Sequence, residues 1–255
     1  IVTENGLESI KPFPKIRVRP CIFEYIYFSR PDSIINNTSV YEYRKRFGAE
    51  LAKESNIESD LIVPVPDSGV PAAIGYCEEI KKNIELGIIR NHYVGRTFIE
   101  PTQQIRSLGV KLKHNVNKSL IKDKSIILID DSLVRGTTSV KIIKMLYDAG
   151  AKEVHLRIAS PPIKYPDYYG VDTPTKGELL ASKYDLKGMQ KFINATTLKF
   201  LSIEGLYKSM GYEKRNPSYP QFTDHCFTGE YPIKPVDANN KDFLDNQLSF
   251  MSSKS

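Results

Sequence analysis

Short apolar runs alternate with amphipathic stretches along most of this chain. A continuous apolar run predicts a strand that is buried on both faces of a parallel sheet, whereas apolar residues at helical spacing predict a helix with one buried face. The predicted strands cover residues 61–66, 86–89, 125–130 and 153–160. The predicted helices cover residues 71–82, the stretch ending at 149, 185–194 and 202–210. This alternation indicates an α/β fold built on a parallel, doubly wound sheet.

Local signals mark where some elements begin. Ser39 and Glu42 have the spacing of a capping box, and this box opens a helix whose apolar residues Val40, Tyr43, Phe47 and Leu51 share one face. Thr175 and Glu178 have the same spacing and predict a second capping box. Asn5-Gly6 is a hairpin-type turn signal near the start of the chain.

The run from Ser125 to Ser139 carries the clearest chemistry. Its apolar strand ends in two adjacent acids, Asp130 and Asp131, and a turn rich in Gly, Thr and Ser leads into a helix. Ligands of open α/β sheets bind at the carboxyl ends of strands, and N–H groups at the start of a helix bind anions. The run therefore predicts a phosphate cradle beside two carboxylates, which suits a phosphorylated sugar. The alternative is an ordinary surface turn, with Asp131 as an acid at a helix start, but two adjacent buried acids would then repel each other without compensation.

Composition narrows the class of protein. The chain has 255 residues, of which 40% are hydrophobic and 26% charged, as in one large or two small globular domains. The net charge of +6 fits either nucleic acid or a small polyanion. Lys and Arg are dispersed and form no recognised nucleic-acid motif, which favours the small polyanion. Cys21, Cys77 and Cys226 are odd in number and far apart, which argues against a disulfide framework. With no membrane-spanning run or secretory signal in the sequence, we expect a cytoplasmic location.

Residues 130–139 resemble the signature of the type I phosphoribosyltransferases, which bind 5-phosphoribosyl 1-diphosphate. Residues 21–33 and 90–99 are similar to the junction segment and the mobile catalytic loop of one branch, the amidophosphoribosyltransferases, and the resemblance extends over about residues 1–233. It implies a mostly parallel, twisted sheet flanked by helices, with a mobile lid loop. It also implies that ammonia displaces pyrophosphate from C1 of the ribose, which is the first step of purine synthesis.

The resemblance assigns roles to residues at two strand ends. Asp130 and Asp131 would bind the ribose hydroxyls or hold Mg²⁺, and Ser68, in a pyrophosphate loop, would also hold Mg²⁺. Taken locally, Ser68 could equally be an ordinary helix N-cap, and Arg135 could point to solvent instead of to the substrate. The implied substrate-binding residues are Asp67, Ser68, Asp130, Asp131, Ser132, Arg135, Gly136, Thr137, Thr138 and Ser139.

Residues 90–117 form a long basic stretch without a clear period, and the resemblance implies that this stretch is the lid. The implied catalytic residues on it are Arg90, His92, Tyr93 and Arg96, and Lys111 lies further along. The alternative is a solvated basic loop. His114 and His155 have no acid partner that the sequence identifies, so we expect both to be structural.

Members of the resembled family carry a glutaminase domain before the transferase domain. The resemblance implies that residues 1–20 are a remnant of that domain, with residues 1–10 as its last strand. It also implies that 21–235 form the transferase domain and that 236–255 are a tail. The implied partners are 5-phosphoribosyl 1-diphosphate, ammonia, a separate glutaminase domain, purine nucleotide inhibitors and further copies of the chain. Nucleic acid and membrane are not expected.

One branch of the family holds a four-iron, four-sulfur cluster on four cysteines. The matching positions here are Cys21, Asp167, Thr223 and Cys226, so two thiolate ligands are missing. We therefore expect no cluster, and Cys21 and Cys226 as neighbouring free thiols. Cys77 is expected to be buried on its helix.

Two other functions stay open at this stage. The chain could be a non-catalytic module that binds the diphosphate sugar and regulates transcription, or it could be a degenerate relic of the enzyme. The complete lid motif argues against the first, and retention of Ser68, Asp130 and Asp131 argues against the second.

Overall fold

The central feature of the molecule is a four-stranded parallel sheet flanked by helices. The structure is a computed structural model that describes residues 1–12, 18–91, 114–169 and 175–233. The strands are β1 (Val2–Thr3), β2 (Gly6–Leu7), β3 (Ile34–Ile35), β4 (Thr38–Ser39), β5 (Leu61–Pro64), β6 (Ile88–Arg90), β7 (His114–Val116), β8 (Ser125–Asp130), β9 (Glu153–Ile158) and β10 (Thr197–Phe200). The α-helices are α1 (Val40–Ser55), α2 (Val70–Ile80), α3 (Lys118–Ile121), α4 (Thr137–Asp148), α5 (Leu180–Lys183), α6 (Leu186–Ile193), α7 (Ile203–Ser209) and α8 (His225–Thr228). A π-helical segment covers Glu24–Phe28 and a 3₁₀ turn covers Lys176–Glu178.

The parallel sheet has the strand order β5–β8–β9–β10 and confirms the predicted α/β class. Pro64 pairs with Ile129, and Asp130 pairs with Ile158, so the carboxyl ends of the first three strands meet at one edge. The apolar runs are strands because both faces of the sheet are covered. One core contains α1, α2 and α7, and the other contains α4 and α6. This edge of the sheet is where a ligand site is expected.

Helices α1 and α2 pack against each other unusually closely. The Ser39 hydroxyl accepts a hydrogen bond from the Glu42 N–H at 3.4 Å, which confirms the first capping box. A Cβ atom added at Gly48 would lie 1.8 Å from the Ala72 carbonyl oxygen, so the contact depends on glycine. This packing fixes the start of α2, and with it the turn that follows β5.

Several predicted elements differ from the structure at their ends. The second capping box is wrong, because the Thr175 side chain makes no capping hydrogen bond and only the 3₁₀ turn follows it. The first ten residues contain the hairpin β1–β2 rather than one strand, with Asn5-Gly6 at its turn as predicted. Both ends of the predicted loop 90–117 differ from the prediction, since Arg90 ends β6 and His114–Val116 form β7. None of the helices among the described residues is long and apolar enough to cross a membrane.

His155 has an acid partner that the sequence analysis missed. The ring is buried on β9, with Nε2 3.5 Å from the Glu153 carboxylate and 3.2 Å from the Ser125 Oγ. Its Nδ1 lies 3.0 Å from the Thr197 Oγ1. Burial and the Arg157 charge lower the pKa of His155 below its ordinary 6.5, although Glu153 acts in the opposite direction. The expectation that His155 is structural fits these contacts, because the ring bridges three strands.

We expect His155→Gln to reduce the decrease in unfolding free energy that follows when the pH is lowered from 7.5 to 5.0. Wild-type His155 is neutral in the fold, and the unfolded chain takes up a proton as the pH falls below about 6.5, so its stabilising contribution is present above that pH and lost below it. Urea unfolding at pH 7.5 and pH 5.0 measures the change in unfolding free energy for each protein. An equal change in wild type and variant would contradict this assignment.

Candidate functional site

Two buried carboxyl groups lie at the carboxyl end of β8. Asp130 is 7% exposed and Asp131 is 6% exposed. The Asp130 Oδ1 accepts hydrogen bonds from the Asp131 N–H at 3.0 Å and from the Ser68 hydroxyl at 3.2 Å. The Asp131 Oδ2 is buried and has no hydrogen-bond partner among the residues that the structure describes. The structure therefore brings together the two acids and the serine that the sequence predicted from separate segments.

The electrostatics of this acidic pair favour a ligand that supplies positive charge or hydrogen-bond donors. Burial and the neighbouring Asp131 charge raise the pKa of Asp130 well above its usual range. Burial also raises the pKa of Asp131, while the Asp130 side chain, the Ser132 N–H and the Arg44 charge act in the opposite direction. A buried acceptor without a partner is costly, so hydroxyl groups or a hard cation at Asp131 would stabilise the site.

The loop after β8 turns sharply into α4 and presents that helix's first N–H groups. Gly136 precedes α4 with a φ of +77°, a conformation that favours glycine. Thr137 and Thr138 are exposed in the first turn, whereas Ser139 is buried. An exposed helix start with free hydroxyls is suited to a phosphate group.

Arg135, in the same loop, does not simply point to solvent. Its Nη2 lies 3.3 Å from the Glu178 carboxylate, and both side chains are about half exposed. An ion pair this exposed is weak, so Arg135 is available to an anionic ligand. Sequence reasoning missed Glu178 because it assigned that residue to a capping box.

The turn between β5 and α2 lies beside the acidic pair. Gly69 occupies the N-cap position of α2 without a side-chain cap, and the Ser68 hydroxyl is directed to Asp130 instead. The reading of Ser68 as an ordinary N-cap is therefore wrong. Arg90 forms an ion pair with Asp67, and the His114 Nε2 lies 3.4 Å from the Pro66 carbonyl oxygen. Paired strands β6 and β7 thus both contact this turn.

Not all of the predicted lid residues belong to the described part of the chain, and one buried residue near the site was not predicted. His92, Tyr93, Arg96 and Lys111 lie outside the described residues. The buried Arg44 was missed, although a charge between apolar Val40 and Phe47 on one face of α1 was a usable signal.

The four positions that match cluster ligands in the resembled branch lie together but have other partners. The Asp167 carboxylate lies 2.8 Å from the His225 Nε2, and the Thr223 hydroxyl donates to the Arg19 carbonyl oxygen at 2.9 Å. A cavity of about 430 Å³ is lined by Arg19, Cys21, Asp167, Thr223 and His225, among others. Among the described residues, no group of three or more His, Cys, Asp or Glu side chains has a geometry that could hold a metal ion. The donor set therefore does not fit an iron–sulfur cluster.

None of the three cysteines forms a disulfide in the structure. Burial raises the pKa of Cys226 well above its usual range, and the nearby Cys21 acts in the same direction. Cys77 is buried on α2, and burial raises its pKa to about 11.

Comparison with known proteins identifies relatives over almost the whole chain. An amidophosphoribosyltransferase of Rhizobium etli is 56% identical over 249 residues, which cover 97% of this chain and 50% of the relative. The chloroplastic amidophosphoribosyltransferase 1 of Arabidopsis thaliana is 47% identical and is covered to 44% of its length. The chain thus spans about half the length of these curated relatives.

A solved structure and a family model agree with this finding. The glutamine phosphoribosylpyrophosphate amidotransferase of Bacillus subtilis, solved in complex with ADP and GMP, matches with a TM-score of 0.78 and 46% identity, covering 91% of this chain and 50% of that one. The family model described as the phosphoribosyl transferase domain matches residues 35–162, which include both strand ends of the site. The chain has the type I fold of these transferases and belongs to the phosphoribosyl transferase domain family.

Proposed function

We propose that this chain is the phosphoribosyltransferase portion of an amidophosphoribosyltransferase. In this proposal it transfers ammonia to C1 of 5-phosphoribosyl 1-diphosphate, giving 5-phosphoribosylamine and pyrophosphate, the first step of purine synthesis. The observation that carries the proposal is the buried Asp130–Asp131 pair with Ser68 beside it, at a sheet edge that also presents the start of α4. The 56% identity to the Rhizobium etli enzyme over 97% of the chain supports the choice of ammonia as acceptor.

Each part of the site has a role in this reaction. Asp130 and Asp131 accept hydrogen bonds from the 2- and 3-hydroxyls of the ribose, and their negative charge stabilises the positive charge that develops on the ring. The N–H groups at the start of α4 and the hydroxyls of Thr137 and Thr138 bind the 5-phosphate. The turn at Asp67 and Ser68 binds the leaving pyrophosphate. Together these groups fix the C1 atom for displacement, so catalysis depends chiefly on positioning and electrostatics.

Mg²⁺ fits the residues at this site. Two carboxylates and the Ser68 hydroxyl offer only oxygen donors, one of them the Asp131 Oδ2 without a partner. Mg²⁺ usually binds one or two carboxylates together with substrate phosphates. When bound, it would offset the negative charge of the diphosphate.

We also propose that the chain carries no iron–sulfur cluster, because Asp167 and Thr223 are engaged by His225 and Arg19. Iron and acid-labile sulfide analysis of the purified protein is expected to give no stoichiometric iron. A partner glutaminase domain, purine nucleotide inhibitors, homo-oligomerisation and a cytoplasmic location belong to the same proposal. The B. subtilis structure with ADP and GMP supports the nucleotide inhibitors.

The direct test is pyrophosphate release from 5-phosphoribosyl 1-diphosphate, Mg²⁺ and ammonium chloride. We expect saturable release that requires all three components and is lost in the double variant Asp130→Asn/Asp131→Asn. Saturable binding of the diphosphate sugar without release would instead favour a sensor or a relic. Absence of both binding and release would overturn the proposal.

A further inference from the structure

A buried arginine lies behind the acidic pair. Arg44, on α1, is only 6% exposed, because it lies on the helix face that packs into the apolar core. Its Nε donates to the Tyr25 carbonyl oxygen at 3.0 Å, and its Nη2 donates to the Ser29 carbonyl oxygen at 2.7 Å. Two main-chain acceptors thus hold the guanidinium in one orientation, between α1 and the π-helical segment.

Arg44 and Asp131, one member of the acidic pair, line the same small internal cavity. The cavity is lined by Arg44, Ser68 and Asp131, and otherwise by the apolar side chains of Ile26, Phe47, Ala72 and Ala159. In an apolar environment charges interact over longer distances than in water. Arg44 and Asp131 are both buried and carry opposite charges, so their attraction is screened little by solvent.

We propose that Arg44 is a positioning residue that acts as the fixed counter-charge of the Asp130–Asp131 pair. Its hydrogen-bonding groups are directed to Tyr25 and Ser29, so it compensates the acidic pair without covering the Asp131 oxygen that lacks a partner. The carboxylate then stays open to hydroxyls or a cation. A direct arginine–carboxylate pair would neutralise the pair equally well but would block that oxygen.

The chain offers a matched control for loss of a buried arginine. Arg157, on β9, is also buried, and its Nε donates to a main-chain carbonyl oxygen, that of Ser55, at 2.9 Å. The Arg157 Nη1 donates to the Leu156 carbonyl oxygen at 3.1 Å and to the Thr197 Oγ1 at 3.0 Å, and Arg157 does not line the cavity shared by Arg44 and Asp131. Arg157→Met therefore reports the general cost of removing such a side chain.

The first test measures charge coupling and requires no activity. Urea unfolding is measured for Arg44→Met in the wild-type background and in the Asp131→Asn background, and likewise for Arg157→Met. We expect Arg44→Met to change the unfolding equilibrium constant about tenfold less when Asp131 is already neutral, a coupling typical of interacting sites. Arg157→Met is expected to have the same effect in both backgrounds. Equal effects of Arg44→Met in the two backgrounds would overturn the proposal.

Arg44→Lys keeps the inference testable if Arg44→Met does not fold. Lysine retains the charge but loses the paired carbonyl contacts, so we expect the coupling to Asp131 to persist in this variant. A lysine variant whose stability is insensitive to Asp131→Asn would contradict the assignment.

The second test is kinetic and rests on the proposed function. Without the counter-charge the site is more negative towards a polyanionic substrate, so Arg44→Met is expected to raise KM for 5-phosphoribosyl 1-diphosphate about tenfold. Arg44→Lys should restore most of this loss, and Arg157→Met should leave KM unchanged. If the variants show the coupling but the wild-type protein has no turnover, the proposed function is rejected and Arg44 remains the counter-charge. Turnover with a KM unaffected by Arg44→Met would reject the kinetic role.

Discussion

Asp130→Asn is expected to reduce pyrophosphate release by about 10²–10³-fold, the scale seen when one preorganised electrostatic group is removed from an active site. The amide oxygen of asparagine can still accept hydrogen bonds from Ser68 and from the Asp131 N–H. The turn after β5 and the end of β8 should therefore keep their places. What is lost is the negative charge that faces the ribose ring and the cation.

The same substitution is expected to make the protein more stable, by about 1–3 kcal/mol, because it replaces an acid buried beside another acid with a neutral group of the same shape. Opposite effects on activity and stability distinguish a functional site from a structural one. Urea unfolding and the pyrophosphate assay measure the two quantities on the same preparation.

Asp60→Asn is the matched control for Asp130→Asn. Asp60 directly precedes β5 and is half exposed beside the amino end of β8, where its carboxylate accepts a hydrogen bond from the Ser125 N–H at 2.8 Å. Its replacement should leave the rate of pyrophosphate release unchanged. An Asp130→Asn protein that retained wild-type turnover would contradict the role given to the acidic pair.

The sequence was sufficient for those parts of the site that are encoded in one continuous segment. The strand 125–130, its terminal acids and the helix after Gly136 lie where they were predicted, since each depends on local pattern and on turn chemistry. The contact between Ser68 and Asp130 joins residues 62 positions apart. The structure makes this contact through the parallel pairing of β5 with β8, which places both strand ends at one edge. The sequence predicted a parallel sheet but not which strands are neighbours in it.

The parts of the structure that were not predicted depend on tertiary contacts, or on local sequence patterns whose structural context the sequence does not show. Arg44 is buried with its guanidinium hydrogen-bonded to the carbonyl oxygens of Tyr25, in the π-helical segment, and of Ser29, directly after it. Thr175 has the spacing of a capping box, but no long helix follows to require a cap. In contrast, Asn36 and Asn37 both have positive φ at the β3–β4 turn, and this Asn-Asn pair was a readable hairpin signal.

Gly69→Ala is expected to cause the second large loss of activity, although its side chain would touch no substrate. A Cβ at this position would lie 2.3 Å from the Ile129 carbonyl oxygen and 3.1 Å from the Val65 nitrogen. Those two atoms form the 2.8 Å hydrogen bond that continues the β5–β8 ladder to the site. The added methyl group must therefore separate the two strand ends or push the turn outward.

Either movement takes the Ser68 hydroxyl away from Asp130, so the pyrophosphate loop and the acidic pair no longer face one substrate. We expect pyrophosphate release to fall at least about 10²-fold, since small misplacements of positioning groups have effects of this size, and stability to fall by about 1–3 kcal/mol from overpacking. Gly177→Ala is the control, because a Cβ there would meet no atom within 4 Å. If Gly69→Ala and Gly177→Ala gave the same kcat/KM, the close approach of the turn to β8 would have no part in catalysis. Loss in the first variant alone would show that activity depends on how tightly this turn is held against the end of the sheet.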